Sequence, residues 1–191
     1  MRIEWLPYMS PVGALTVLEA REGPLVVEFA ARASRTHLLE RLLERVPGAT
    51  ITAGPCRQAS EWLTAYFAGR PRPFPYPDYL TQYFAASPSQ VAVWRALCDI
   101  PFGETRSYED IAMLTGIHPR AVGQLNGSNH LAILIPCHRV VGKDGGYRAP
   151  GSARGRVIDH PMFAKSFGPG CGFGCNVGRI APAPISFASA K

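Results

Sequence analysis

Residues 70–78 carry the feature that most restricts the fold of this 191-residue chain, a run reading Arg-Pro-Arg-Pro-Phe-Pro-Tyr-Pro-Asp. Proline fixes φ and lacks a backbone donor, so a proline at every second position excludes a helix or a central strand. The run must therefore be a stiff, extended connection. It predicts a boundary between an N-terminal scaffold domain over 1–86 and a C-terminal domain over 87–165, followed by a Gly/Pro/Ala-rich tail over 166–191.

The segment before the proline run predicts a small antiparallel sheet followed by helices. Apolar stretches at 14–18 and 25–29 are bounded by glycine-containing turns, which is typical of short paired strands. Leucines repeat at helical spacing over 36–46, and a second helical pattern covers 58–68. This half carries no evident zinc ligands, and we expect it to act as a scaffold only.

The segment after the proline run predicts three helices, two of which form a helix-turn-helix. A serine followed by a proline at 87–88 starts the first helix. Residues 107–110 form a capping box ahead of a helix that Gly116 ends, and a third helix covers 119–126. A plain helical hairpin gives the same local pattern as a helix-turn-helix. The predicted fold class is α/β (α+β), with the sheet in the N-terminal half and helices in the C-terminal half.

One cysteine stands in an unusual setting, the stretch Ile-Leu-Ile-Pro-Cys-His-Arg-Val-Val at 133–141. The apolar run predicts a buried strand that Pro136 ends, with Cys137 as a nucleophile on a rigid shelf. His138 is a candidate to take the thiol proton. Because neighbours in an extended chain point to opposite faces, that exchange would need a bridging water. An inert packing cysteine is the alternative.

A metal site is the less favoured interpretation of these residue types. Adjacent Cys137 and His138 cannot easily chelate one ion, and Cys171 and Cys175 form an isolated pair in a glycine-rich stretch. The five cysteines are odd in number and irregularly spaced, which argues against a disulfide framework. We expect neither a metal nor a cofactor.

Positive charge is concentrated around this cysteine. The formal net charge is +6, and between 120 and 156 six basic side chains stand against one acidic one, Asp144. An ordinary solvated basic face is the usual interpretation of such a count, and the clustering makes an anionic partner, nucleic acid first, a serious alternative. No apolar run is long enough to cross a bilayer, and the first residues lack the order of a signal peptide. We therefore expect a cytoplasmic protein without membrane contact.

Four pieces of the sequence, in order and with their spacing intact, resemble a known family. Tyr108, the segment 120–123, Asn129 and the segment 135–141 resemble the O6-alkylguanine-DNA alkyltransferase (methylated-DNA–protein-cysteine methyltransferase) family, and the resemblance runs from Ser10 to about Tyr147. It implies an RNase H-like N-terminal scaffold and a winged helix-turn-helix domain. It also implies a monomer that acts on double-stranded DNA carrying O6-alkylguanine, and O4-alkylthymine as well. Each molecule would move the alkyl group onto its own cysteine once, restoring guanine.

The resemblance assigns roles to individual residues. Cys137 would attack the alkyl carbon, and His138 would take the thiol proton through a water. Tyr108 would contact the rotated phosphate and give a proton to the departing guanine, while Asn129 would brace the turn before the cysteine. The implied DNA-binding residues are Tyr108, Arg120, Ala121, Gly123 and Arg139. Arg120 would fill the gap left by the flipped nucleotide, and Ala121 and Gly123 would permit approach to the minor groove. Arg139 would also anchor the shelf. The implied base pocket contains Val140, Tyr147 and Arg148.

The sequence departs from the family pattern in three places. His130 stands where a proline usually follows the asparagine, which we expect to loosen the turn. Arg148 replaces a serine, and Pro161 occupies the position of a glutamate that holds the histidine. Asp159 or Glu104 are the candidate replacements for that carboxylate. Without one we expect slower transfer, and an alkyltransferase-like protein that binds alkylated DNA with impaired transfer is the alternative function. An unrelated cysteine hydrolase is a third and less favoured interpretation.

Overall fold

The computed structural model describes residues 1–29, 40 and 42–142, which form a mixed α/β structure. The N-terminal half contains β1 (Arg2–Ser10), β2 (Gly13–Ala20), β3 (Gly23–Phe29), β4 (Thr50–Ala53), α1 (Arg57–Phe67) and α2 (Tyr79–Phe84). The C-terminal half contains α3 (Pro88–Cys98), β5 (Arg106–Ser107), α4 (Tyr108–Thr115), α5 (Pro119–Gly127), a 3₁₀ turn (Cys137–Arg139) and β6 (Val140–Val141). The predicted fold class is confirmed.

The N-terminal sheet has the strand order β3-β2-β1-β4. Its first three strands pair antiparallel, as predicted. The fourth strand pairs parallel with β1 and was missed, because Thr-Ile-Thr-Ala is only four residues long and shows no distinctive alternation. Gly23, at φ 148°, is required where the sheet turns, since a Cβ there would collide with the Tyr79 hydroxyl.

Helix α1 is fastened to the sheet by carboxylates that cap its N-terminus. Glu19 accepts hydrogen bonds from the backbone N–H groups of Gln58 and Ala59, at 3.2 and 2.7 Å. Glu4 accepts from the N–H of Cys56, which precedes the helix in a left-handed conformation. Negative charge at a helix N-terminus satisfies open donors and complements the helix dipole. The sheet therefore fixes where α1 lies.

The proline run is non-helical, as predicted, but it is packed rather than free. Phe74 and Tyr76 are buried, and the Phe74 ring meets Trp62 of α1 edge-on at 5.5 Å. Buried side chains of both halves belong to one continuous core. Of the predicted helix over 36–46, residues 36–39 and 41 lie outside the described residues, and residues 40 and 42–45 are helical.

The helix-turn-helix is built as the local sequence signals predict. Reciprocal capping boxes start α3 and α4, from Ser87 and Ser107 respectively. Gly116 ends α4 in a left-handed conformation, and α5 begins with Pro119. Helix α4 contacts α5 on one side and, at its start, strand β5, which forms a short parallel ladder with β6.

Candidate active site

The apolar run before the cysteine is not the predicted strand. It forms only isolated bridges, from Leu131 to Val27 and from Ala132 to Ile135, and Ile133 has a positive φ of 76°. Residues Cys137–Arg139 form a 3₁₀ turn. The prediction failed because Pro136 supplies no ladder donor and a side chain folds the segment back on itself. The argument that adjacent side chains point to opposite faces therefore does not apply at Cys137 and His138.

Asn129 is the side chain that folds this segment. Its Oδ1 accepts from the N–H of Leu131 at 2.9 Å, and its Nδ2 donates to the carbonyl of Ile135 at 2.9 Å. A further bond to the Leu131 carbonyl is longer, at 3.4 Å. Asn129 is buried, so these bonds satisfy backbone groups that water does not reach. The loop between α5 and Cys137 is thereby held in one shape.

His130, in place of the usual proline, does not remove the bonds of Asn129. Its carbonyl accepts from the N–H of Val27 at 2.8 Å, and its ring lies against Phe84 with 5.0 Å between centroids. The ring Nδ1 lies 3.5 Å from Oε1 of the buried Glu28. The N–H of Ala132 donates back to Val27 at 2.8 Å. The turn is thus fastened to strand β3.

Cys137 is held by its backbone on both sides. Its N–H donates to the Ile135 carbonyl at 2.8 Å, and its carbonyl accepts from Nδ2 of Asn126 at 3.2 Å. The residue is 3% exposed. Asn126 was missed by the sequence analysis, and the available signal was an amide on the apolar face of α5. The backbone of Cys137 is held in place because α5 and the turn share these bonds.

His138 bonds to a residue of the N-terminal half that was also missed. Its Nε2 lies 3.0 Å from the Tyr66 hydroxyl of α1, and the two rings meet edge-on at 6.2 Å. Burial raises the pKa of Tyr66, and the Arg139 guanidinium beside it acts in the opposite direction. The view of the N-terminal half as scaffold only is therefore incomplete. Of the two predicted carboxylates, Glu104 pairs with Arg106 at 2.9 Å, and Asp159 lies outside the described residues.

Arg139 anchors the turn from inside the protein. Its Nη1 donates to the Ile100 carbonyl at 2.7 Å, and the guanidinium lies 5.4 Å from the centroid of the Phe102 ring. Burial lowers the pKa of this guanidinium. The side chain is 8% exposed. This arrangement fits the anchoring role and argues against the predicted direct contact with DNA, because the donors point into the protein.

The other implied residues surround the turn on the helix-turn-helix side. Strand β5 pairs Arg106 with Val140, so Tyr108 follows the strand directly alongside the cysteine turn. A Cβ on Gly123 would lie 3.7 Å from the Tyr108 ring, which shows that α5 passes close to it. Arg120 is exposed at the start of α5, where Ala121 is half-buried. Tyr147 and Arg148 lie outside the described residues.

The two remaining described cysteines are poor nucleophiles. Burial raises the pKa of both Cys56 and Cys98 to about 12, so their thiols are protonated at neutral pH. Within the described ranges, no group of three or more His, Cys, Asp or Glu is placed to bind a metal ion. The helices described here are all too short or too polar to cross a membrane.

Comparison with known proteins gives consistent matches. A sequence model described as "6-O-methylguanine DNA methyltransferase, DNA binding domain" matches residues 88–159. The methylated-DNA–protein-cysteine methyltransferase of Methanosarcina barkeri is 47% identical over 92 residues, which cover 47% of this chain and 55% of that protein. Its counterpart in Mycobacterium tuberculosis (strain CDC 1551) is 37% identical over 148 residues, covering 71% and 76%. The chain spans little more than half the length of the first curated relatives it matches, at 55% and 63%.

Solved structures match over most of the chain. The crystal structure of Mycobacterium tuberculosis O6-methylguanine methyltransferase has a TM-score of 0.63 and 31% identity, and the alignment covers 88% of this chain and 96% of that one. The crystal structure of Mycobacterium tuberculosis OGT in complex with DNA has a TM-score of 0.61 and 31% identity, covering 86% and 92%. The likeness therefore extends over both halves of the fold.

Proposed function

Because this chain belongs to the O6-methylguanine DNA methyltransferase family, also called methylated-DNA–protein-cysteine methyltransferases, we propose that it repairs DNA by moving an alkyl group from guanine O6 onto Cys137. The observation that carries the proposal is the cysteine turn itself. A buried thiol next to His138 is fixed by Asn126 and Asn129 directly beneath the helix-turn-helix. O4-alkylthymine would be a second substrate of the same chemistry.

The transfer is a direct displacement at the alkyl carbon. The Cys137 Sγ–carbon bond forms as the carbon–O6 bond breaks, and the thiol proton passes to His138, either directly or through a water. The departing guanine keeps the electron pair of the broken bond and takes a proton from Tyr108. His138 then returns a proton to Tyr108 by way of solvent. A thioether has no acyl or phosphoryl centre that water can attack. The protein is consumed in one turnover, and no cofactor is needed.

Helix α5 is the element that would bring the lesion to the thiol. Guanine O6 is inaccessible inside a duplex, so the nucleotide has to rotate out before it can reach Cys137. Arg120 is exposed at the start of α5 and would fill the space left in the base stack. The small side chains of Ala121 and Gly123 would let the helix enter the minor groove. A net charge of +6 supports association with the phosphate backbone. We therefore take double-stranded DNA carrying O6-alkylguanine as the partner.

Intact mass measurement after incubation with a duplex containing O6-methylguanine tests the proposal. We expect one added methyl group, mapped to Cys137 by peptide analysis, and disappearance of the lesion from the DNA. Cys137→Ser should leave both unchanged, whereas Cys98→Ser should react like the wild type. Tight binding of the alkylated duplex without a mass change would identify the binder alternative. A Cys137→Ser protein that clears the lesion would refute the proposed nucleophile.

A further inference from the structure

The hydroxyl of Tyr66 lies against the one histidine of the cysteine turn, although 72 positions separate the two residues in the chain. We propose that Tyr66 is a positioning residue for His138, and that the N-terminal half thereby takes part in the reaction. The proposal rests on the proposed transfer to Cys137. It adds a residue that the sequence resemblance does not assign to the site.

The contact is fixed from both sides, so it defines the orientation of the imidazole. Tyr66 is 7% exposed and His138 is 2% exposed. The Tyr66 ring meets Phe67 and Phe102 edge-on at 5.5 and 5.8 Å, which prevents the phenol from swinging away. Nε2 faces the Tyr66 hydroxyl at 3.0 Å, so the proposal assigns the proton exchange with the thiol to the other ring nitrogen, Nδ1.

A phenol suits this position because its oxygen can accept a hydrogen bond. For Nδ1 to take the thiol proton, the neutral imidazole must carry its hydrogen on Nε2, and the Tyr66 oxygen accepts from that Nε2–H. Once His138 takes the thiol proton, both ring nitrogens carry hydrogen, and the Tyr66 oxygen goes on accepting from Nε2–H without moving. A buried charged N–H that loses its acceptor is strongly disfavoured. Tyr66 therefore supports the protonated histidine, although a neutral phenol does so less than a carboxylate would.

The charged and titratable groups around this contact define its pH dependence. Arg139 and Cys137 both lie close enough to act on Tyr66: the Arg139 charge lowers the pKa of Tyr66, and Cys137 acts in the opposite direction. Cys98 of α3 lies near Arg139 and stays protonated at neutral pH. Removing the Tyr66 oxygen should therefore make the thiolate–imidazolium pair harder to form. The pH at which transfer reaches half its maximal rate should move upward.

Single-turnover transfer from an O6-methylguanine duplex, followed across pH in wild type and Tyr66→Phe, tests the inference. We expect a rate about tenfold lower at neutral pH, the size of effect that loss of one hydrogen bond to a charged group gives, with the midpoint displaced to higher pH. Tyr79→Phe is the matched control, since its hydroxyl also takes part in a hydrogen bond of 3.0 Å, to the Pro24 carbonyl away from the turn. It should keep the wild-type rate and midpoint. A Tyr66→Phe protein with the wild-type pH profile would overturn the inference.

A second measurement does not depend on the variant folding. Nitrogen-15 NMR of the wild-type histidines should show a His138 Nε2 that remains hydrogen bonded across the neutral range, protected from solvent exchange. A His138 ring that titrates and exchanges like a free imidazole would overturn the role of Tyr66. Failure of the proposed function is distinguishable, because then the wild type itself gains no methyl group, whatever the state of the Tyr66 contact.

Discussion

The substitution Asn129→Ala removes the side chain that folds the segment leading to Cys137. The two bonds at 2.9 Å would be lost. Their partners, the Leu131 N–H and the Ile135 carbonyl, would remain unsatisfied in a buried loop, at a cost of roughly 1.5 kcal/mol each. We therefore expect Asn129→Ala to lower the free energy of unfolding by about 3 kcal/mol. That is a large share of the roughly 5–15 kcal/mol typical of a folded domain.

Urea unfolding followed by circular dichroism measures this loss. With an m value of about 2 kcal/mol/M, the midpoint should fall by about 1.5 M while m stays constant. Ser128→Ala is the matched control, because its half-buried hydroxyl also bonds to the backbone, at 2.8 Å to the Leu125 carbonyl, and should cost under about 1 kcal/mol. Transfer should also fall in Asn129→Ala under conditions where the variant is folded, since the turn loses its shape. A midpoint shift equal to that of Ser128→Ala would refute the bracing role of Asn129.

Three further predictions follow from other parts of the structure. Arg120→Ala should slow transfer from duplex DNA at least about tenfold in single-turnover assays, yet leave transfer from a free O6-alkylguanine base unchanged, and equal losses on both substrates would contradict a role in base flipping. Glu19→Ala should lower the free energy of unfolding by about 1–2 kcal/mol in thermal unfolding, because α1 loses two capping bonds, and an unchanged midpoint would show that the caps contribute nothing. Hydrogen bonding to the Ser107 backbone lowers the pKa of Asp110, so its stabilisation is present above the ordinary pKa and is lost as pH falls below it. Asp110→Asn should accordingly cost up to about 1 kcal/mol at neutral pH and nothing near pH 2, and a difference that persists in acid would disprove the assignment.

Local chemistry in the sequence predicted the helix-turn-helix well. The capping boxes at Ser87 and Ser107 and the left-handed end at Gly116 depend on residues within four positions of each other. Such signals are readable without knowledge of the rest of the fold. The same holds for the three antiparallel strands, whose turns connect immediate neighbours.

Long-range pairing accounts for what the sequence did not reveal. Strand β4 is a strand only because β1 offers it a parallel edge, and the segment before Cys137 is bent because Asn129 and β3 hold it. The apolar pattern of that segment indicates that it is buried. A buried turn and a buried strand show the same pattern, so the pattern could not distinguish them. The Tyr66–His138 contact joins helix α1 to the cysteine turn, and 72 positions separate the two residues in the chain. No local pattern in a single sequence predicts such a contact.

Two hydrogen bonds join Val27 of strand β3 to the loop at 130–132. Through them, exposure of the Cys137 thiol is coupled to local opening of that strand. Hydrogen exchange at the Val27 and Ala132 amides should occur in a single opening event, because neither can be released while the other stays paired. Fluctuations that would expose Cys137 to oxidants from this side must therefore lift the loop off the sheet. In the proposed single-turnover reaction an oxidised thiol is a lost repair event, so these two amides would help to preserve the unreacted protein.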